Sequence, residues 1–333
     1  EAALAGRPTL ALRDLHERPD APSGHLPDGG FSAFVTILLG CNRRCTYCIV
    51  PDVRGDEWSR PARDVLAEVR ALAERGVREV TLLGQSIMNY GLRTPAFDAD
   101  DPPSPGGYTL PFPRLLEAVA AIPGIARIRF TSGHPSGVTD ELIRLFREEP
   151  KLCRHLHLPV QSDSSRVLAR MRRGYTREGY LAAVTRLREA APDIAITTDV
   201  IVGFPGETEE DFQETRTLME AARFDNAFIF KYSPRPGTVS ATWEDDVSEE
   251  EKARRNQILL GDQDVRGALL NQALIGTTQR VLAEGPSLRN KAKWSGRTSS
   301  NKIVIFTAPE GLRPGDALNL TILRAAPQTL YAE

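Results

Sequence analysis

An α/β fold, an open (β/α)6 partial barrel followed by a small all-β barrel, is predicted by three observations. Six apolar strand-like runs alternate with amphipathic stretches between residues 34 and 232, and such alternation implies a parallel sheet with right-handed crossovers. Polar and turn-forming residues cluster directly after each strand-like run, where apolar alternation stops. After residue 246 the alternation ends, and a long charged segment leads into short β-like runs.

Taken in order, strands are expected at 34–39, 79–83, 127–131, 155–158, 194–202 and 227–232. Helices are expected at 61–75, 111–121, 139–147, 164–190 and 208–222, on apolar spacing of helical period. Thr139 and Thr208 precede two of them as N-cap residues. Residues 247–273 read as one long leucine-bearing helix. Beyond it, β-like runs at 279–283, 302–306 and 317–323 are separated by turns at 295–301 and 312–316. The predicted organisation is a linker or domain remnant at 1–31, a core at 32–246, a connecting helix at 247–273 and a C-terminal barrel at 274–333.

A chain of 333 residues with 41% hydrophobic residues can bury a substantial core. No apolar run reaches the roughly eighteen residues that a membrane span requires, so no membrane partner is expected. The first residue is Glu and no apolar leader core follows, which suggests a piece of a longer protein. Four cysteines in the whole chain do not make a disulfide framework, and a cytoplasmic location is expected.

Cys41-Asn42-Arg43-Arg44-Cys45-Thr46-Tyr47-Cys48 is the most informative segment. Iron-sulfur clusters are held by cysteine thiolates, usually four, so three on one loop leave one iron of a 4Fe-4S cube open to a small molecule. Structural zinc prefers four ligands in two spaced pairs, and the fourth cysteine, Cys153, stands far away beside His155 and His157. Zinc is therefore the weaker alternative, carried forward as a metal-stabilised RNA-binding module without catalysis.

The remaining strand ends run into Gly84-Gln85-Ser86, Ser132-Gly133-His134-Pro135, Pro159-Val160-Gln161-Ser162, Gly203-Phe204-Pro205-Gly206-Glu207-Thr208 and Ser233-Pro234-Arg235-Pro236-Gly237. Each alone reads more readily as a turn than as a site. Together they form a ring of loops at the strand C-termini, where such barrels place their chemistry. Gly203 and Gly206 permit close backbone approach. His134 is either a hydrogen-bonding group or a plain strand-end residue. Arg172 and Arg173 are either a solvated helix end or a fork for a cofactor carboxylate. Ser-His-Asp, H-E-x-x-H and P-loop patterns are absent from the sequence, so no catalytic residue is expected beyond the cluster ligands.

The net charge of -2 does not itself point to nucleic acid. Residues 271–333, however, carry eight Lys or Arg against four acids. A small basic β-barrel can hold RNA through its phosphates, and Arg280, Lys291, Lys293, Arg297 and Lys302 are the candidates. Trp294 beside Lys293 offers either base stacking or packing.

The C-x3-C-x-aromatic-C loop after a first strand resembles the radical S-adenosylmethionine (SAM) superfamily. With Arg54-Gly55, Ser59-Arg60-Pro61, Leu83-Gly84-Gln85, Arg129-Phe130-Thr131-Ser132, Leu156 to Ser162, Val202 to Thr208 and Tyr232 to Thr238, the chain resembles its methylthiotransferases, in the MiaB-type, tRNA-2-methylthio-N6-dimethylallyladenosine synthase branch. The resemblance runs from about residue 32 to the end and includes a TRAM-like C-terminal domain. It implies a 4Fe-4S cluster on Cys41, Cys45 and Cys48 whose open iron is chelated by SAM. The cofactor-binding candidates are Tyr47, near the adenine, with Gln85, Ser132, Gln161, Arg173, Gly203, Phe204 and Tyr232. The implied reaction turns N6-isopentenyladenosine at tRNA position 37 into its 2-methylthio derivative. One SAM donates a methyl group to sulfur, and a second is cleaved to a 5'-deoxyadenosyl radical that attacks adenine C2. The implied partners are the tRNA anticodon stem-loop and a flavodoxin-type electron donor.

Two departures from the family pattern stand out. Its N-terminal domain carries three further cysteines for an auxiliary 4Fe-4S cluster, and nothing upstream of Phe31 supplies them. Residues 1–333 by themselves are thus expected to cleave SAM, with full transfer needing that domain. The loops Gln161-Ser162-Asp163-Ser164 and Ser132-Gly133-His134 also differ from the family's more usual Gly and Ser. The competing reading within the family is the sibling that acts on threonylcarbamoyladenosine; a ribosomal-protein methylthiotransferase is disfavoured by residues 131–135 and 232–238.

Overall fold

The computed structural model describes residues 30–333, so the expectation for 1–31 falls almost wholly outside the described residues. Strand β1, Ser32–Thr36, pairs in parallel with β2, Glu79–Leu83, and β2 with β3, Arg127–Phe130. A second parallel trio consists of β4, His155–His157, β5, Ala195–Val202, and β6, Asn226–Lys231. A parallel bridge between Ile128 and Leu152 joins the trios. The result is the expected open six-stranded partial barrel.

Successive strand residues point to opposite faces. On the convex face Val35, Leu82, Ile128, Leu156, Ile196 and Val200 are fully buried in one core cluster with the surrounding helices, among them α1, Ala62–Glu74, α2, Pro111–Ala120, and α3, Asp140–Glu148. Each fully buried aliphatic side chain contributes about 1.5–3 kcal/mol, so this continuous core dominates the barrel's stability. Register places Phe34, Thr81 and Arg129 side by side on the concave face, as it does His157 with Thr197 and Asp199 with Phe228.

The sequence-based helix over 164–190 is two helices, α4, Ser165–Arg170, and α5, Arg177–Ala190. Arg172 at φ 57° and Gly174 at φ 73° break it, because the left-handed region cannot continue a right-handed helix. The break returns Arg173 toward the barrel mouth, and Thr176 caps α5 by accepting from the Gly179 N–H at 3.3 Å. Helix α6, Glu209–Ala222, starts on the expected Thr208, which forms a reciprocal capping box with Asp211. The first strand also stops earlier than expected, at Thr36. Leu38–Leu39 turns away to pair antiparallel with Trp58–Ser59, aiming Gly40 at φ 75° into the cysteine loop.

Helix α7, Glu249–Gln272, leads to a closed five-stranded barrel. Its strands are β7, Thr278–Pro286, β8, Trp294–Thr298, β9, Ile303–Phe306, β10, Ala317–Ala326, and β11, Thr329–Ala332. The expectation of a turn over 295–301 is corrected: most of it is β8. This strand is polar and crosses so close to β7 that a Cβ on Gly296 would collide with the Leu282 carbonyl. It therefore lacks the apolar alternation that marks a strand.

The two barrels meet through buried guanidinium groups. Arg127 donates to the carbonyls of Arg297 (2.7 Å) and Arg280 (2.8 Å). Arg129 donates to those of Thr298 (2.8 Å) and Ser299 (3.2 Å), and to Glu79 Oε2 (3.0 Å). Lys302 Nζ reaches Asp225 Oδ1 across the same junction at 2.7 Å.

Candidate cluster and cofactor site

The cysteine loop follows the short strand Leu38–Leu39 through Gly40, where any Cβ would strike the Gly55 and Asp56 carbonyls. The Cys41 N–H donates to Gly55 O at 3.1 Å, and Cys48 N–H closes a turn onto Cys45 O at 3.1 Å. Thr46 ties the loop down on three sides. Its N–H donates to Met171 O (3.2 Å) and its hydroxyl to Arg170 O (2.9 Å), while its carbonyl accepts from Ser240 N–H (2.8 Å). Asn42 and Glu57 exchange hydrogen bonds at 3.3 and 2.7 Å, and Asn89 donates to the same carboxylate at 2.9 Å.

Cys41, Cys45 and Cys48 are free thiols, the first two buried. Among the described residues no three Cys, His, Asp or Glu side chains converge as ligands of one ion. Three thiolates on one loop fit a 4Fe-4S cluster with one iron left open, whereas structural zinc takes four ligands. Burial pushes the Cys41 and Cys48 thiols up, so iron must displace their protons on binding. Arg173 Nη1 lies 3.4 Å from Cys45 Sγ, its Nε donates to Tyr175 OH at 3.0 Å and its Nη2 to Pro159 O at 3.2 Å. Burial opposes that charge, but the Tyr47 and Tyr175 hydroxyls and the Cys45 thiol outweigh it and hold the guanidinium above its ordinary value. A fixed cation beside a thiolate corner fits an anionic cluster.

His134 is buried, and Ser136 N–H donates to its Nδ1 at 3.3 Å. The proton is thereby assigned to Nε2, which has no hydrogen-bond partner. Burial, then Arg173 and Arg43, push its pKa down to about 2, so the ring is neutral and a donor. Gln85 Oε1 is likewise buried and unpartnered. Ser132 and Gln161 hold left-handed backbone at φ 61° and 71°, a conformation that costs about 1–3 kcal/mol and clusters at ligand sites.

Gly203, at φ 71°, packs against the Lys252 side chain. Phe204 is fully buried with Tyr232, Val167 and Met171. Its ring meets those of Tyr47, Tyr232 and Trp243 edge-on, at centroid distances of 6.4, 5.3 and 5.8 Å. Tyr232 OH bonds Ser240 Oγ at 3.0 Å. The structure thus places Tyr47, Arg173, Gly203, Phe204 and Tyr232 around the cysteine loop, with Gln85, Ser132 and Gln161 on the neighbouring strand ends. Of the basic candidates, Arg280 and Lys291 are exposed. Lys293 bonds Thr307 (2.6 Å), Arg297 pairs with Glu284 (2.8 Å) and Lys302 is committed to Asp225.

Sequence reasoning missed Glu57, Tyr175, Lys252 and Arg255 as parts of this architecture. Gly174 was the available signal for Tyr175, because a glycine in the interior of a proposed helix over 164–190 marks a break. Nothing local distinguishes Lys252 from the other charges of its helix.

Residues 35–219 match the Radical SAM superfamily model and residues 272–333 the TRAM domain model. The tRNA-2-methylthio-N(6)-dimethylallyladenosine synthase of Akkermansia muciniphila is 48% identical over 322 residues, covering 96% of this chain and 68% of that protein. The chain belongs to this family. Another member, from Geotalea uraniireducens, is 48% identical over 304 residues, 91% of this chain and 66% of its own length. The chain thus spans about two thirds of the length of these family members. Among solved structures, the radical SAM methyltransferase TsrM from Kitasatospora setae, with cobalamin and a [4Fe-4S] cluster bound, superposes with a TM-score of 0.50 at 19% identity, over 67% of this chain and 40% of that one. That likeness concerns the fold.

Proposed function

We propose that the chain carries the radical SAM and RNA-binding parts of a tRNA methylthiotransferase that converts N6-isopentenyladenosine at position 37 to its 2-methylthio derivative. The carrying observation is the loop of three free thiols with Arg173 against Cys45, in a chain of this family. Cys41, Cys45 and Cys48 would hold a 4Fe-4S cluster, and Tyr47, Gln85, Ser132, Gln161, Arg173, Gly203, Phe204 and Tyr232 would hold SAM. When bound, these cofactors supply the one-electron cleavage, the methyl group and the radical. The protein's work is to bind, orient and exclude water. Thr46 fixes the cysteine loop against Met171 and Ser240, Arg173 sets the local charge, and the His134 Nε2–H offers one donor to an acceptor. Phe204 acts through its backbone and by wedging Tyr47 and Tyr232.

An auxiliary cluster for sulfur handling would come with the part of the family's length that these residues do not span. The proposed reductant is a flavodoxin-type donor and the proposed compartment the cytoplasm; among the described residues no helix is long and apolar enough to cross a membrane. The exposed Arg280 and Lys291, with Lys293 nearby, are the proposed phosphate contacts of the anticodon stem-loop.

Anaerobic reconstitution tests the reading. About four irons and four sulfides per chain are expected from one cluster, with 5'-deoxyadenosine released from SAM under dithionite and both lost in Cys45→Ala. Zinc uptake without nucleoside release defeats it.

A further inference from the structure

Between the concave face and the C-terminal barrel lies a cavity of about 520 Å³, lined by Ser132, His157, Thr197, Phe228, Asn301 and Lys302 among others. Parallel sheets normally bury both faces. Here Phe228 is 49% exposed, and Phe230, next on the same face of β6, is 52% exposed. The Phe228 ring meets that of His157 edge-on, at a centroid distance of 5.9 Å. Two half-bare aromatic rings on the inside of a barrel are an apolar surface without a partner.

The charges around this surface are spent. Lys302 is paired with Asp225 at 2.7 Å and Arg297 with Glu284 at 2.8 Å. Arg129 is paired with Glu79 at 3.0 Å and bonded to carbonyls of the C-terminal barrel. His157 Nε2 lies 3.4 Å from Asp199 Oδ2, and its Nδ1 bonds Thr197 at 3.0 Å. His155, held to about 3 by burial and the neighbouring cations Arg129, Arg297 and Lys302, is neutral. Each basic group that faces the cavity from the core or the barrel is therefore committed or uncharged. An incoming carboxylate would be desolvated without a free cation to meet it. A neutral hydrocarbon substituent would cover the phenyl rings and gain from the apolar surface it removes from water.

Resting on the tRNA reading above, we infer that Phe228, flanked by Phe230, seats the apolar N6 substituent of the target adenine and makes this cavity the determinant that selects a prenylated base over an unmodified or carboxylate-bearing one. Along the chain Phe228 lies between Asp225, which meets Lys302 of the C-terminal barrel, and Tyr232, just past the end of β6 beside the cofactor candidates. The β6 face thus leads the base from one to the other.

The test is fluorescence-anisotropy binding of the full chain to synthetic anticodon stem-loops bearing adenosine, N6-isopentenyladenosine or N6-threonylcarbamoyladenosine at position 37. The isopentenylated stem-loop is expected to bind about tenfold or more tighter than the unmodified one, the scale on which apolar pockets discriminate small hydrocarbon differences. Phe228→Ala abolishes that preference while leaving affinity for the unmodified stem-loop in place, and Phe228→Leu restores part of it. The inference is overturned if Phe228→Ala retains the preference, if wild type binds all three equally, or if the threonylcarbamoylated stem-loop wins. If no stem-loop binds better than an unrelated hairpin, the tRNA reading itself falls, and the pocket with it.

Discussion

Arg255 on helix α7 grips Glu207 of the loop between β5 and α6 twice, with Nη1 3.1 Å from the Glu207 carbonyl and 3.2 Å from Oε1. Both side chains are buried, and the other carboxylate oxygen accepts the Phe204 N–H at 3.0 Å. The loop that starts at Gly203 is thus clamped from behind by the helix leading to the C-terminal barrel.

Burial outweighs Arg255 and the two backbone donors and raises the Glu207 carboxyl from its usual 4.5 to about 7. A folded-state value above the unfolded one means that stability from this group is complete below about pH 4.5 and is lost as pH rises toward 7. Glu207→Gln should therefore show a flatter fall in melting temperature between those pH values than wild type. Parallel slopes in the two proteins would refute the assignment.

Gly203→Ala should destabilise the protein by about 1–3 kcal/mol, since it combines a left-handed backbone with a collision against Lys252. The two causes separate in a double-mutant cycle. Lys252→Ala removes the collision but not the backbone penalty, so the double variant should be more stable than the sum of the single losses implies. Additive losses in urea titrations would mean that the side chain gives way freely.

Removing the cation beside Cys45 should make the reconstituted cluster harder to reduce, because the reduced form carries more negative charge. Potentiometric titration of Arg173→Gln is expected to give a midpoint more negative than wild type, and Arg173→Lys, which keeps the charge without the fork, a value in between. An unchanged midpoint with intact iron content would show that Arg173 serves packing alone.

At the junction, Arg129→Ala leaves Glu79 and two carbonyls without their donor. Breaking a buried pair in this way costs about 3–5 kcal/mol. Calorimetry should resolve separate transitions for the core and the C-terminal barrel where wild type unfolds together. A single, unshifted transition would place the coupling elsewhere, in α7.

The six core strands and most helices were legible because each buries one apolar face, and period then identifies the element. The cysteine loop was legible for a different reason: metal ligands are fixed by chemistry and announce themselves by spacing. What stayed hidden is what depends on distant chain. The polar strand Trp294–Thr298 is held by neighbours rather than by its own pattern, and Thr329–Ala332 is a four-residue closing strand paired in parallel with Ile303–Ile305. Likewise Lys302, read as a phosphate ligand from its charge, spends that charge on Asp225, a partner 77 residues away in sequence.

Arg127 and Arg129 take hold of the C-terminal barrel by main-chain oxygens at Arg280, Arg297, Thr298 and Ser299. Carbonyls are common to every amino acid, so this guanidinium grip does not depend on which side chains stand at the four positions, although the Ser299 hydroxyl adds a bond of its own from the Arg154 N–H at 2.9 Å. Selection is then free to retune which nucleic acids the barrel favours while the distance from its surface to the reaction centre stays constant. The joint fixes position and leaves taste to evolve.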